Sequence, residues 1–368
     1  MTHLANHKQA LYELRFSPMC KPAAEVANLT KLESHSTRGR VMMMWRIAEN
    51  IITWNRREVE LMYQSTLDSI SEAFDVFHYP VSQYMLAARA DIWAAGLAPD
   101  CVTEVVEASK REPERVSTGS RALLLAGEIA QLGDDSLLNS MQAALQKVDV
   151  QADPWLASTG ALAYALGARG VAHAQATQVV ENIEASGVQT IIADGPETAW
   201  ALTKIYPALG IDLPDGITVK LLSTVLVENT PKASPDLGVV FVHDSRPACL
   251  IADRMANNLA ILPGYREDEA AFGTGAVYEA PRQLLDALGA ERIFSTWTRS
   301  LAKSSGADDG LWLTYPDLAA GLAQQRLDYA AQLGANTVVT DSPLAASFLA
   351  KHIDKRDLQV KLLSDVLM

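Results

Sequence analysis

One stretch of this chain is written twice. "GVQTIIADGPETAWALTKIYP" (187–207) is matched by "GANTVVTDSPLAASFLAKHI" (334–353): a short apolar run, an aspartate, a small residue, a proline, then a helical pattern. "VKLLSTVL" (219–226) returns as "VKLLSDVL" (360–367), and "STGALAYALG" (158–167) as "SSGADDGLWL" (304–313). In chain order the three matches are offset by 146, 147 and 141 residues, a near-constant spacing that marks an internal repeat. Short apolar runs such as "RALLLAGE" alternate with longer helical patterns, which requires βαβ crossovers and a mostly parallel sheet. Residues 117–232 and 233–368 are therefore read as two copies of one α/β unit. A duplicated unit often places a site at the seam between copies, but the repeat names no chemistry.

The region before the repeat, residues 1–110, has a different grammar. "SHSTRGRVMMMWRIAENII" opens on Ser/Thr capping candidates and runs on at helical apolar spacing. "NRREVELMYQSTLDSISEAF" and "PVSQYMLAARADIWAAGLAPD" continue in that style, the second from Pro80 to Gly96. "EASKREPERVSTGSR" is the best linker candidate.

With 368 residues, 49% of them hydrophobic, the chain is long enough for two or three domains. A formal net charge of −13 argues against a nucleic-acid or anionic-membrane surface. No apolar stretch reaches the ~18 residues of a membrane span, and the first residues lack the features of a signal peptide; a cytoplasmic location is the expectation. Cys20, Cys101 and Cys249 are far apart, which excludes a disulfide framework and any four-thiolate site from this chain alone.

The order "VVFVHDSRPA … VYEAPRQLLDALG … KSSGADDGLWLTYPDLAAGLAQQRLDYAAQLGANTVVTDSPLA" resembles the cysteine-rich CCG domain family. That family includes heterodisulfide reductase B and D subunits and the iron–sulfur subunits of glycolate oxidase, anaerobic glycerol-3-phosphate dehydrogenase and lactate-utilisation systems. The resemblance implies an α-helical, bis-cluster-ferredoxin-like domain over 1–110, followed by CCG-type α/β repeats over 117–232 and 233–368. The family's "SPRGR"-like segment reads "STRGR" (36–40) here, with Thr37 in place of the proline.

Carried over position by position, the resemblance puts the first CxxCxxCxxxC on Leu14, Ser17, Cys20 and Ala24, and the second on Ser65, Asp68, Ser71 and Asp75. The first Cys-Cys-Gly becomes Ser158-Thr159-Gly160, and its late turn Asp194-Gly195-Pro196. In the second copy the HDPC-like turn is His243-Asp244-Ser245-Arg246, the Cys-Cys-Gly is Ser304-Ser305-Gly306, and the CPxC is Ser342-Pro343-Leu344-Ala345. One thiol, Cys20, survives among these positions, and Cys249 lies three residues past another as a displaced remnant. Serine is much harder to deprotonate than a thiol, and its hard oxygen suits iron–sulfur clusters poorly. The family's 4Fe–4S and CCG-domain clusters are therefore not expected, and packing must replace the cross-links they supply.

Sharper readings of the same residues were weighed. Ser304 and Ser305 would need a base and an orienter, for which His243 with Asp244, Asp308 or Asp341 are the candidates; no GxSxG elbow is present. The plain reading is a glycine turn whose serines cap the next helix. Asp308, Asp309 and Asp341 would suit a hard cation, but paired loop aspartates are usually solvated or capping. Asp68 and Asp75 share a face if their segment is helical, and a solvated face is the expectation. "GTGAVYEAPR" lacks the spacing of a dinucleotide loop. His243, Asp244 and Arg246 fall at the C-terminal end of a strand, where α/β folds bind ligands. A pocket of His243, Asp244, Arg246, Cys249, Ser304, Ser305 and Asp341 is one reading. Arg246 pairing with Asp244 or Asp341 to fill the vacated space is the preferred one.

Two functions follow. The first is a structural or interaction subunit of a flavin- or iron–sulfur-dependent oxidoreductase complex, without redox activity of its own, whose partners are flavoprotein oxidases or dehydrogenases and iron–sulfur subunits. The second is a small-molecule-binding protein or enzyme that uses the vacated CCG pocket. The resemblance taken literally implies a third, the family's iron–sulfur oxidoreductase role, which the ligand positions oppose.

Overall fold

The structure is a computed structural model that describes residues 3–17, 20–67, 69–75, 78–111, 113–116, 119–133, 136–229, 237–252 and 271–368. The expected linker, 107–121, begins inside the helix Asp100–Ser109; its residues 112, 117 and 118, and the 232/233 boundary, lie outside the described residues. Among the described residues, every element up to Ser109 is helical. The helix Thr37–Ala48 starts where Ser36 accepts the Gly39 N–H at 3.1 Å, and it stops short of the expected "ENII", where Asn50 turns left-handed at φ 58°. "NRREVELMYQSTLDSISEAF" is two helices, Arg56–Tyr63 and Ser69–Phe74, rather than one. The break has a cause in the side chains opposite. Arg40 takes the Gln64 carbonyl and Arg89 Nη2 takes the Ser65 carbonyl at 2.9 Å, so both oxygens are bound outside any helical ladder.

Beyond this region lie two parallel four-stranded sheets. The first comprises β1 (Ala122–Ala126), β2 (Asp153–Leu156), β3 (Thr190–Ala193) and β4 (Thr218–Leu221) in the order β2-β1-β3-β4. The second comprises β5 (Val239–His243), β6 (Glu291–Arg292), β7 (Thr337–Thr340) and β8 (Gln359–Leu362) in the order β6-β5-β7-β8. The α/β class is thus as expected, and the two sheets share one strand order. The correspondence reaches single glycines. Gly160 and Gly306 both sit at φ +87°, and a Cβ on either would lie 2.8 Å from the Ala172 carbonyl oxygen or 2.2 Å from that of Ala319. Each glycine turn is pressed onto the long helix that follows it, Arg169–Ser186 or Pro316–Gln332, where no other residue fits.

The strands bury both faces, so period-2 alternation sends their side chains into different cores. Leu124 and Ile192 of the first sheet share one core with Val240, Val242 and Val339 of the second. Leu123, Leu125 and Ile191 instead face a core built with the N-terminal helices, while Phe241 and Val338 pack with Val26 and the helix Pro316–Gln332. The helix Pro196–Trp200 packs on Arg246–Ile251, and Leu222–Glu228 on Ala280–Ala287, so the two sheet units interlock. No described helix is long and apolar enough to cross a membrane.

Candidate functional site

The C-terminal ends of the central strands carry the polar residues of interest. After β5, His243 and Asp244 are buried, and Asp244 is held by a bidentate pair with Arg282, both bonds at 2.8 Å. Thr298 Oγ1 and the Arg299 N–H also donate to it, at 2.9 and 2.6 Å. Although burial opposes it, this set of donors, led by Arg282, keeps the Asp244 carboxyl below its ordinary range. His243 Nδ1 accepts from Arg326 Nε at 3.0 Å, and burial with Arg326 beside it pushes the imidazole well below its usual value. His243 is a neutral, buried acceptor with no serine as partner.

Arg246 departs from the expected pairing. It binds neither Asp244 nor Asp341. Its Nη2 donates to Ser69 Oγ at 2.6 Å and its Nη1 to the Ala302 carbonyl at 2.6 Å, while its backbone N–H reaches Asp308 Oδ1 at 3.3 Å. Arg282 already occupies Asp244, so the Arg246 guanidinium turns toward the N-terminal helices and fills that space. The Cys249 thiol lies 3.7 Å from the Ser300 carbonyl, and burial raises its pKa, so it is no ready thiolate.

Ser304-Ser305-Gly306 forms a closed turn. The Ser304 hydroxyl donates to Asp308 and accepts the Gly306 N–H at 2.8 Å, and Ser305 accepts the Ala307 N–H at 3.2 Å. The serines cap this turn rather than the long helix downstream. Asp308 and Asp309 are buried, not solvated, and burial raises the Asp308 carboxyl. A Ser–His–Asp relay is not formed, because Ser304 bonds an acid rather than the imidazole.

At the seam between the sheets the two aspartate turns face each other across Glu128, a residue the sequence reading did not single out. Its carboxyl accepts the Glu197 N–H at 2.5 Å and the Ser342 hydroxyl at 2.9 Å, one partner from each turn. Ser342 also caps its own helix, Pro343–Ala350, by accepting the N–H of the buried Ala345. Gly195 lets Glu128 approach closely, since a Cβ would lie 2.5 Å from Glu128 Oε1 and would displace that carboxylate. Asp194 accepts the N–H groups of Glu128 and Ile129 at 3.0 and 3.1 Å. Burial raises the carboxyls of Glu128 and Glu197, and brings Asp194 to about 6 and Asp341, beside Asp244, to about 7. Among the described residues, no group of three or more His, Cys, Asp or Glu side chains could hold a metal ion.

In the N-terminal region Leu14, Ser17, Cys20, Ala24, Ser65, Ser71 and Asp75 are all buried; Asp68 lies outside the described residues. Ser17 donates to Asp75, 58 residues away, and Ser71 shares a 2.6 Å hydrogen bond with Thr37. The solvated face expected for Asp75 is thus replaced by a buried hydrogen bond. Ser158 and Thr159 border a small cavity of about 130 Å³, and the Thr159 carbonyl accepts from Tyr206 at 3.1 Å. A larger cavity, of about 290 Å³, lies beside Ser304 and is walled by Glu25, Trp297, Lys303, Leu322, Arg326 and Tyr329. Arg326, like Arg282 and Glu128, carries no local motif; its place on the buried face of its helix, beside Leu322, Ala323, Leu327 and Ala330, is its only mark.

No family model and no curated protein matches the chain. Among solved structures it is similar to the crystal structure of a hypothetical protein from Helicobacter pylori, at 12% identity and a TM-score of 0.60, over 99% of this chain and 71% of that one. At that identity the likeness concerns the fold alone.

Proposed function

We propose that the chain is a degenerate relative of the CCG-type iron–sulfur subunits, with residues 1–110 in the place of the bis-cluster ferredoxin module and the two sheet units in the place of the CCG repeats. It carries no cluster and serves as a structural and docking subunit of a flavin- or iron–sulfur-dependent oxidoreductase complex. The hydrogen bond between Ser17 and Asp75 is the observation that most supports this reading. In two-cluster ferredoxins the fourth ligand of one motif serves the cluster of the other. Here a residue of the first motif bonds the fourth residue of the second. Arg246 reaching Ser69, Ser304 bonded to Asp308 and Ser342 bonded to Glu128 are consistent with it: residues at positions aligned with the family's ligands are tied by hydrogen bonds to neighbouring polar side chains.

Purification of the tagged full chain from its native host tests the role. Retrieval of a flavin-bearing partner in fixed stoichiometry is the expected outcome. A chain that elutes alone as a monomer, with no flavoprotein retained, contradicts it. The second reading, a small-molecule site, is favoured by one specific observation, the cavity beside Ser304.

A further inference from the structure

Two polar side chains that line that cavity, Arg326 and Glu25, each carry a buried atom without a hydrogen-bond partner among the described residues. Arg326 is almost fully buried in the helix Pro316–Gln332, and its Nε and Nη2 are engaged by His243 Nδ1 and the Trp297 carbonyl, each at 3.0 Å. Its Nη1 has no hydrogen-bond partner among the described residues. A buried guanidinium N–H without an acceptor costs free energy that a bound acceptor would recover. Lys303 also lines the cavity, with its ammonium 4.2 Å from the centre of the Trp297 ring, and adds a second positive charge to the wall.

The balance of charge is positive. Asp328 borders the cavity, but Arg356 holds its carboxylate at 2.7 Å. Glu25 accepts the Ser304 N–H through Oε2 at 2.8 Å, and its Oε1 is unpartnered. Burial lifts this carboxyl to about 7, against the pull of Arg246 and Lys303, so much of it is neutral near pH 7. Trp297, Leu322 and Tyr329 supply an apolar wall. Two cations interleaved with aromatic and aliphatic side chains fit a compact anion with an apolar body rather than a polyphosphate.

We propose that the cavity lined by Arg326, Lys303, Glu25, Ser304 and Trp297 binds a small organic monocarboxylate, with its carboxylate held by the Arg326 guanidinium and Lys303 and its apolar body packed against Leu322 and the neighbouring rings. This site does not depend on the proposed subunit role, because the residues belong to this chain alone.

Titration of the purified full chain with benzoate, benzyl alcohol and inorganic phosphate, followed by calorimetry and by thermal shift, tests it. Benzoate binds at one site per chain and raises the melting temperature, the neutral alcohol binds at least tenfold more weakly, and phosphate does not compete. Lys303→Met, at a partly exposed position, leaves the fold intact by circular dichroism and weakens benzoate at least tenfold. Arg326→Lys, which keeps a charge but not the free N–H, weakens it further. Equal affinity for benzoate and benzyl alcohol, phosphate displacing benzoate, or unchanged benzoate affinity in a folded Lys303→Met protein would each overturn the assignment.

Discussion

Replacing Arg246 with alanine lowers the stability of the folded chain by about 3–5 kcal/mol, the largest loss expected for any single substitution at the positions the resemblance aligns with ligands. The change removes the donors that satisfy Ser69 Oγ and the Ala302 carbonyl, both interior, and opens a cavity between the second sheet and the N-terminal helices. It also takes a cation away from Glu25 and Asp308, which Arg246 helps to keep ionised. Arg246→Met restores much of the volume but not the donors, and recovers about half of the loss. Chemical unfolding of the three proteins checks the order wild type, methionine, alanine. An alanine variant within about 1 kcal/mol of wild type would mean that the guanidinium is not a structural replacement.

Stability rises as the pH falls from 8 to 6, opposite to the behaviour of a protein held by ionised carboxylates. The sign follows from linkage. A carboxyl whose folded-state pKa lies above its unfolded value stabilises the fold fully below the unfolded value, and that contribution fades as pH rises through the folded one. Glu25 and Asp341, both raised to about 7, together contribute ~2 kcal/mol between pH 8 and 6, and Glu128 and Glu197 act in the same direction. His243 opposes them, since it stays neutral when buried and takes a proton once unfolded below its ordinary pKa. Asp244 opposes them only at much lower pH, where its depressed carboxyl finally titrates. The melting temperature is expected to be a few degrees higher at pH 6 than at pH 8. Glu128→Gln retains an acceptor for Glu197 and flattens the profile while raising stability at pH 8. A melting temperature that climbs from pH 6 to pH 8 would contradict the burial of neutral acids at the seam.

Much of the architecture was legible because buried parallel strands announce themselves as apolar runs. "ALLLA", "TIIA", "VVFVH" and "TVVT" are the four central strands, and the repeat in sequence returns as a repeat in strand order. The edge strands β2 and β6 were not legible. One is "DPWL", with a proline tolerable only at an edge, and the other is two charged residues whose pairing is imposed by the neighbouring strand. The carboxylates misled for a related reason. Such acids are solvated on average, whereas Asp75 and Asp308 are covered by segments distant in sequence. Arg246 was recognised as a filler, but its partner was not, because Ser69 lies 177 residues away. Glycine positions were the most faithful guide, since Gly160, Gly195 and Gly306 stand where a side chain would collide.

The central claim is that the positions the resemblance aligns with cluster ligands are packed or hydrogen-bonded within this chain and bind no cluster. Purification without oxygen, followed by assay of iron and acid-labile sulfide on the full chain, tests it most directly. The account predicts a colourless protein with neither element above background, before and after attempted reconstitution with ferrous iron and sulfide. Stoichiometric iron and sulfide, with a broad absorbance at about 400 nm typical of an iron–sulfur centre, would contradict it.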